Sequence, residues 1–479
     1  MRRIEYKWLV GITFVLGLIM QILDVTILNV ALATLGREFD VGEATLQWVL
    51  TGYVVSLAVF IPSAGWIADR FGSKRTFQTA VVVFTLASVL CGAATEMWVL
   101  IAARVLQGVG GGMLVPVGQA MLFRAFPTHE RAKAGAVLAI PTTVAPALGP
   151  VLGGVLVEHA SWRWIFFINV PVGALALLCT VLFLREEPRS EPGRFDLPGF
   201  LLAGGGLATL LFGLDRVAHL GWSDVQVTAS LAVSAVLLAA LVRRELAVRA
   251  PVLDVRLLGE RMFAAGNAVL MCQMGTLFGV VFLVPLYLQD VRAMPPSAAG
   301  LVLMPQALSM LLVTQVVGAL YPRIGPKRLL LAGFGLQAVL VLGFRLSTAG
   351  SPVWLLVCLL VGQGVAMGLL TTPVQTATFA RIGPAQLGQA SSMFNAGRQV
   401  GTALGTAVVA TVLAAFPDSS TVDSGAAYGA ALLAPLGFAL LGFAISLRVR
   451  DSDAAPTMRA DPAEEHAPPG EPVHAGTVR

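Results

Sequence analysis

The chain is poor in charge. Asp, Glu, Lys and Arg make up only 12% of its 479 residues, about half the share of an ordinary soluble domain. So few charges cannot cover the water-facing surface of a folded chain this long, and a 56% hydrophobic content is equally unlike a disordered one. Cysteine is scarce. Cys91, Cys179, Cys272 and Cys358 each stand alone in an apolar run, which excludes a secreted disulfide scaffold and paired zinc spacing and makes them small core residues. His129, His159, His219, His466 and His474 show no metal-ligand spacing. No glycine-rich phosphate loop ending in Lys-Ser or Lys-Thr occurs, so ATP is not the energy source. Gly108-x-Gly-Gly-Gly112 lies in an apolar stretch with no strand before it. No cofactor and no metal is expected.

What the chain has in abundance is apolar length. Windows of about 20 residues, enough to cross a bilayer, recur at roughly 8–33, 46–68, 76–95, 98–123, 134–157, 164–184, 197–215, 225–242, 263–287, 298–321, 329–347, 353–373, 388–414 and 426–447. The first could pass for a signal peptide, but its apolar stretch is too long and contains Asp24, so it reads as a retained helix. The expected fold is therefore all-α, an integral membrane protein with 14 transmembrane helices, or twelve if the seventh and eighth windows, the weakest, do not span. The net charge of +5 is an orientation code rather than a nucleic-acid patch. If the N-terminus is cytoplasmic, the outer loops hold only Arg37, Arg163, Arg216 and Arg292. Arg104, Arg345 and Arg398 fall within spans, and the remaining 25 of the 32 Lys and Arg are inside. Both termini are then cytoplasmic. Residues 451–479, rich in proline and acid, read as a disordered cytoplasmic tail.

The second half echoes the first. Gly65-Trp-Ile-Ala-Asp-Arg-Phe-Gly-Ser-Lys-Arg75 lines up with Gly318-Ala-Leu-Tyr-Pro-Arg-Ile-Gly-Pro-Lys-Arg328. Trp98, Gln107-Gly108-Val109 and Phe123 line up with Trp354, Gln363-Gly364-Val365 and Phe379. This divides the chain into an N-terminal six-helix bundle (1–184), two inserted helices with linkers (185–262), a C-terminal six-helix bundle (263–450) and the tail (451–479). Parallel halves of this kind form transporters in which a central site rocks between two faces.

The loop Gly65-x-x-x-Asp69-Arg70-x-Gly72-x-Lys74-Arg75 resembles the signature of the major facilitator superfamily. Leu23-Asp-Val-Thr-Ile-Leu-Asn-Val-Ala-Leu32 and Trp162-Arg-Trp-Ile-Phe-Phe-Ile-Asn-Val-Pro-Val-Gly173 are similar to its fourteen-helix drug:proton antiporter branch. The resemblance covers about 1–450. It implies export of a small amphipathic substrate in exchange for protons, by a monomer, across a bacterial cytoplasmic membrane, with the lipid bilayer as its surroundings and no nucleic acid as a partner.

Several residues carry the chemistry. Asp24 lies well inside the first span with no cation nearby in that helix. A charged Asp at mid-bilayer costs roughly 2.5–3.5 kcal/mol. Protonation is its ready escape, and a carboxyl that toggles can trade a proton for a cation. The alternative is a structural Asp bonded to the fourth span or to Asn29. Arg104, with Gln107, Gly108, Gly110 and Gly111, matches the Arg-x-x-Gln-Gly-x-Gly pattern, which by resemblance assists proton movement; it also reads as a structural partner for Asp24 or for backbone carbonyls. Pro146, Gly149, Pro150, Gly153 and Gly154 resemble the antiporter motif of the fifth span, a hinge, with Ala136 and Ala145 where glycine is usual; close packing alone also explains them. By resemblance, Gly65, Asp69, Arg70, Gly72, Lys74 and Arg75 form a conformational latch. Plain anchoring explains the cations but not Asp69. The second copy has Pro322 in place of the acid, so only the first copy latches through a carboxylate. Arg398 is too deep to snorkel and faces the cavity, binding a substrate carboxylate or backbone carbonyls. Asn29, Gln107, Asn395 and Gln399 join it as polar cavity candidates, and Trp48, Tyr53, Phe278 and Met304 as apolar ones.

Three rivals stand beside this reading. One is a dedicated exporter of an endogenous metabolite or lipid, as the Ala, Gly, Leu and Arg usage of a high-GC bacterium suggests. Another is an importer. The third is a membrane enzyme or receptor, disfavoured because no nucleophile–base set appears and the loops are too short for a site.

Overall fold

Gly72 and Gly325 hold φ of +93° and +81°, a region open to glycine but costly for residues with a Cβ. Each ends one helix and starts the next, so the repeat visible in the sequence is also a repeat of backbone conformation. The computed structural model describes residues 5–186, 193–248, 250–347, 350–415 and 424–458. Among them there is no strand.

The helices are α1 (Tyr6–Glu38), α2 (Glu43–Phe60), α3 (Ala64–Phe71), α4 (Ser73–Gly92), α5 (Met97–Ala125), α6 (Arg131–His159), α7 (Trp164–Phe167), α8 (Asn169–Phe183), α9 (Leu197–Leu220), α10 (Val225–Ala247), α11 (Arg261–Leu286), α12 (Pro296–Ile324), α13 (Pro326–Leu346), α14 (Val353–Thr378), α15 (Leu387–Ala414), α16 (Ser424–Ala431) and α17 (Leu433–Leu447). Three of them open on a side-chain cap. Asp196 accepts from Gly199 N (3.1 Å) to open α9, Asp224 from Gln226 N (2.7 Å) to open α10, and Glu260 from Phe263 N (2.6 Å) to open α11. Their outer faces stay apolar, with Leu312 68% and Val236 69% exposed, as suits lipid rather than water. Cys91, Cys179 and Cys272 are buried as expected, but Cys358 is exposed.

Twelve helices are long and apolar enough to cross a membrane among the described residues. The sequence expectation was fourteen. The other two positions are α6, of 29 residues, and α15, of 28. The first half of α15 carries Gln389, Ser391, Ser392, Asn395, Arg398 and Gln399, which lower its hydropathy, and several side chains of α6 lie outside the described ones.

Packing repeats between the halves. α1 packs on α6, α8 and α5, as α11 packs on α15, α17 and α14; α2 and α4 pack on α5, as α12 and α13 pack on α14. The inserted α9 and α10 pack on each other, and α9 also packs on α2 and α15, one from each half. Thr51 Oγ1 donates to Asp215 (3.1 Å), and Trp222 Nε1 donates to Thr411 (2.7 Å). Residues 451–458, assigned above to a disordered tail, depart from that expectation. They form a 3-10 helix, Asp451–Thr457, in which Ala454 and Thr457 are fully buried. Residues 459–479 lie outside the described ones.

Candidate functional site

α1 and α5 cross where Asp24 meets Arg104. Both side chains are buried, at 1% and 0% exposure. The Arg104 guanidinium donates through Nη1 to Asp24 Oδ2 and to Gln107 Oε1 (2.6 Å), and through Nε to the Val49 carbonyl (3.2 Å). It also lies 4.3 Å from the centre of the Tyr53 ring, a cation–π contact. Gln107 Nε2 donates to Asp24 Oδ1 (2.8 Å), and so does Asn169 Nδ2 from α8 (3.0 Å). Asn169 is steadied in turn by Ser88 Oγ (3.0 Å). Every partner of the carboxylate donates, which suits its ionised form. Loss of its charge would remove the only carboxylate among the contacts described for Arg104 and leave Gln107, the Val49 carbonyl and the Tyr53 ring. The glycines of α5 let α2 and α4 close in on the same helix. A Cβ at Gly108 would come within 2.6 Å of the Tyr53 carbonyl, at Gly112 within 2.6 Å of the Leu57 carbonyl, and at Gly110 within 2.8 Å of the Ala80 carbonyl.

The second cluster lies at the end of the molecule that carries the Gly72 and Gly325 turns. There the halves touch. A Cβ on Gly65 would sit 2.7 Å from the Gly388 carbonyl carbon, and Gly65 N donates to Ser392 Oγ (3.1 Å). Arg124 at the end of α5 donates to Asp69 (3.2 Å), to Ser73 Oγ (2.8 Å) and across the seam to the Pro384 carbonyl (3.1 Å). Arg131 donates to the Phe379 carbonyl (2.8 Å), Gln315 to the Ala136 carbonyl (2.8 Å) and Asn395 to Gln119 Oε1 (2.7 Å). Asp69 also lies near Gly388 in the first turn of α15, where a helix N-terminus favours negative charge. Beside the seam, Glu130 accepts from Lys7 (2.6 Å) and Lys133 (2.8 Å). Burial works to raise its carboxyl, but the bonds from Lys133 and Lys7 outweigh burial and hold it below its ordinary value.

The candidate residues fall into place unevenly. Asp24, Arg104 and Gln107 come together; Gln107 serves the carboxylate rather than a cavity wall. Of the latch residues, Asp69 pairs with Arg124. Lys74 donates instead to the carbonyls of Val181 (3.2 Å) and Leu184 (2.6 Å), Arg75 pairs with Glu186 (3.0 Å), and Arg70 is exposed. Gly149 packs on Thr26 and Gly153 on the Ile27 carbonyl of α1, whereas Gly154 faces open space. The side chains of Pro146 and Pro150 lie outside the described ones. Asn29 is exposed, Asn395 is buried in the seam, and Arg398 and Gln399 are half-buried on α15. Tyr53 is buried beneath Arg104, and Trp48 stacks on Phe212 of α9 at 5.9 Å. Sequence reasoning missed Asn169, Arg124 and Gln119. Asn169 was the findable one, a lone amide in the apolar run of Trp162–Gly173.

The sequence model described as Major Facilitator Superfamily matches residues 14–406. The chain belongs to this superfamily. Among curated relatives of this member, the Multidrug resistance protein B homolog of Mycobacterium tuberculosis is 37% identical over 83% of the chain and 75% of the relative. The Putative multidrug resistance protein MdtD of Cronobacter sakazakii is 33% identical over 86% and 88%. Among solved structures, the human organic anion transporter MFSD10 (TETRAN) superposes with a TM-score of 0.65 at 18% identity, covering 92% of this chain and 99% of its own. A proton:xylose symporter, XylE, does so at 0.65 and 14%, covering 92% and 94%. These two show the fold alone.

Proposed function

We propose that this superfamily member exports amphipathic drugs or antibiotics in exchange for protons, by alternating access, as a monomer in a bacterial cytoplasmic membrane. The observation that carries the reading is the Asp24 cluster, a buried carboxylate held by Arg104, Gln107 and Asn169. The relatives named as multidrug resistance proteins support the substrate class.

In this reading α6 and α15 also span the bilayer, which brings the count to fourteen. The Lys and Arg bias puts the Gly72 and Gly325 turns in the cytoplasm, so the halves meet on the cytoplasmic side and the molecule faces outward. Asp24 takes a proton from outside, Arg104 is freed, substrate leaves, and the halves rock inward while α6 bends at Gly149 and Gly153, where it packs on α1 of its own half. Inside, the proton leaves and a new substrate enters. For a neutral substrate, one proton crossing 100 mV supplies about 2.3 kcal/mol, against about 1.4 kcal/mol for a tenfold substrate gradient; exchange for a monovalent cation moves no net charge and draws on the pH gradient alone. The test is proton release from energised vesicles on adding cationic, neutral and anionic compounds. Asp24→Asn should abolish both the substrate-induced proton flux and uphill efflux. Full proton-dependent efflux in that variant would refute the assignment.

A further inference from the structure

The two copies of the loop signature are unequal. In the first, Asp69 holds Arg124, which also bonds Ser73 at the start of α4. In the second, Pro322 stands where Asp69 stood. The missing acids arrive from the far end of the chain. Asp453 Oδ1 accepts from Arg381 (3.0 Å), one position on from the equivalent of Arg124, and Arg381 also donates to the carbonyls of Asp453 (3.0 Å) and Ser452 (3.3 Å). Asp451 Oδ1 accepts from Lys327 N (2.9 Å) in the first turn of α13, where a carboxylate satisfies an orphan N–H and the helix dipole together. Asp453 thus does for the second loop what Asp69 does for the first, and Asp451 adds to α13 an N-terminal carboxylate bond that α4 lacks.

The same segment reaches the other half. It packs on the short turn Thr128–Glu130 that precedes α6. Met458 joins an apolar cluster that contains Ala132 of α6 together with Val317, Tyr321 and Leu329 of the C-terminal half. The Tyr321 hydroxyl and Thr457 Oγ1, both fully buried, share a hydrogen bond of 2.8 Å. We propose that residues 451–458 are an internal latch that closes the Gly72 and Gly325 end by supplying the carboxylates the second loop lacks, and that lets go of the N-terminal half when that end opens. A mere anchor would be satisfied by one half. This segment touches both, and separation of the halves must break one set of contacts. It is also built for release: a seven-residue 3-10 helix whose ion-pair partner Arg381 is 47% exposed. The inference rests on the alternating-access reading above.

The test uses the full chain with Cys358→Ser and Thr376→Cys, a buried site on α14 that faces Gly135 of α6 across the seam. A membrane-impermeant maleimide is applied to inside-out vesicles with and without substrate. The double variant Asp451→Asn/Asp453→Asn should label at least about threefold faster than its parent without substrate, and so should a chain ending at 450. A chain ending at 458 should label as the parent does, which assigns the effect to 451–458. The double variant must keep the parent's melting temperature to within the error of the measurement, which separates a latch from a fold defect. Equal labelling of parent and double variant overturns the latch, while a parent that still labels faster with substrate leaves the alternating-access reading standing. A parent that never labels overturns both, since nothing then opens. As a second arm, Ala132→Cys/Met458→Cys joined by a short bis-maleimide should stop transport; undiminished transport by the linked protein overturns the latch.

Discussion

A buried ion pair is costly to form and costlier to break. Asp24 and Arg104 have essentially no contact with solvent, so deleting either leaves a charge without its counterpart, typically worth 3–5 kcal/mol. Arg104→Leu should therefore lower stability by about 3–5 kcal/mol in thermal unfolding in detergent. Asp24→Leu/Arg104→Leu should regain most of that loss, because no charge then remains buried alone. A double variant as unstable as the single would mean that packing under Tyr53, not charge, dominates at this site. Glu130 makes a pH prediction. Its carboxyl is held below its ordinary value by Lys133 and Lys7 against the opposing effect of burial. Its contribution is complete above the unfolded value and is lost as pH falls through the folded one. Glu130→Gln should thus melt lower than the parent at neutral pH, by no more than about 1 kcal/mol for so accessible a cluster. The two should converge in acid, once the pH has fallen below the ordinary carboxylate range and through the lowered value in the fold. The polar groups were legible in the sequence because a span tolerates few of them: Asp24, Arg104, Gln107 and Asn169 all stand against an apolar background. That Asn169 serves Asp24 was not, because no spacing within one helix tells which neighbour a side chain will meet.

At the scale of the helix, glycine records where another helix comes closest. Gly65 is the clearest case, with the Gly388 backbone 2.7 Å from the place a Cβ would occupy. Neither backbone can yield without parting α3 from α15. Gly65→Ala should impair closure of this end and cut efflux severely, with normal amounts of protein in the membrane. Gly154→Ala is the matched control, since no atom lies within 4 Å of the added carbon, and it should transport like the parent. Measured rates that fall equally for both would point to a helix-wide effect instead. The motifs marked Gly65 and Gly149 as special, yet their partners, the Gly388 backbone and Thr26, sit far along the chain and are set by which faces meet. The latch cations show the same limit. Lys74 and Arg75 serve the end of α8, whereas Asp69 finds Arg124, a residue outside the motif altogether.

The whole molecule is asymmetric from end to end, although its sequence repeat is not. The hydrogen bonds named between the halves, from Gly65, Arg124, Arg131, Gln315 and Asn395, lie at the Gly72 and Gly325 end. Toward the other end α9 and the turn after it bridge α2 and α15 through Asp215 and Trp222. The repeat was readable because Gly72 and Gly325 demand one backbone conformation twice. The conformational state was not, because in the proposed alternating-access cycle one sequence encodes both openings and composition is blind to which is occupied. The order of residues 451–458 was hidden for a related reason: a Pro- and acid-rich segment reads as solvated until cations such as Arg381 and the α13 N-terminus are placed beside it. The asymmetry makes a directional prediction. Thiol labelling needs water, so it separates a wet cavity from lipid. With Cys358→Ser as background and no substrate, Asn29→Cys, exposed on α1, should react with an impermeant maleimide added to right-side-out vesicles. Asn395→Cys, buried in the seam, should stay protected from both faces. Substrate supplied on the cytoplasmic side should slow the first and expose the second to reagent on that side, since opening one end of a rocking pair closes the other. Simultaneous reactivity of both positions would describe a channel, and would sink the exchange mechanism at the level of the whole fold.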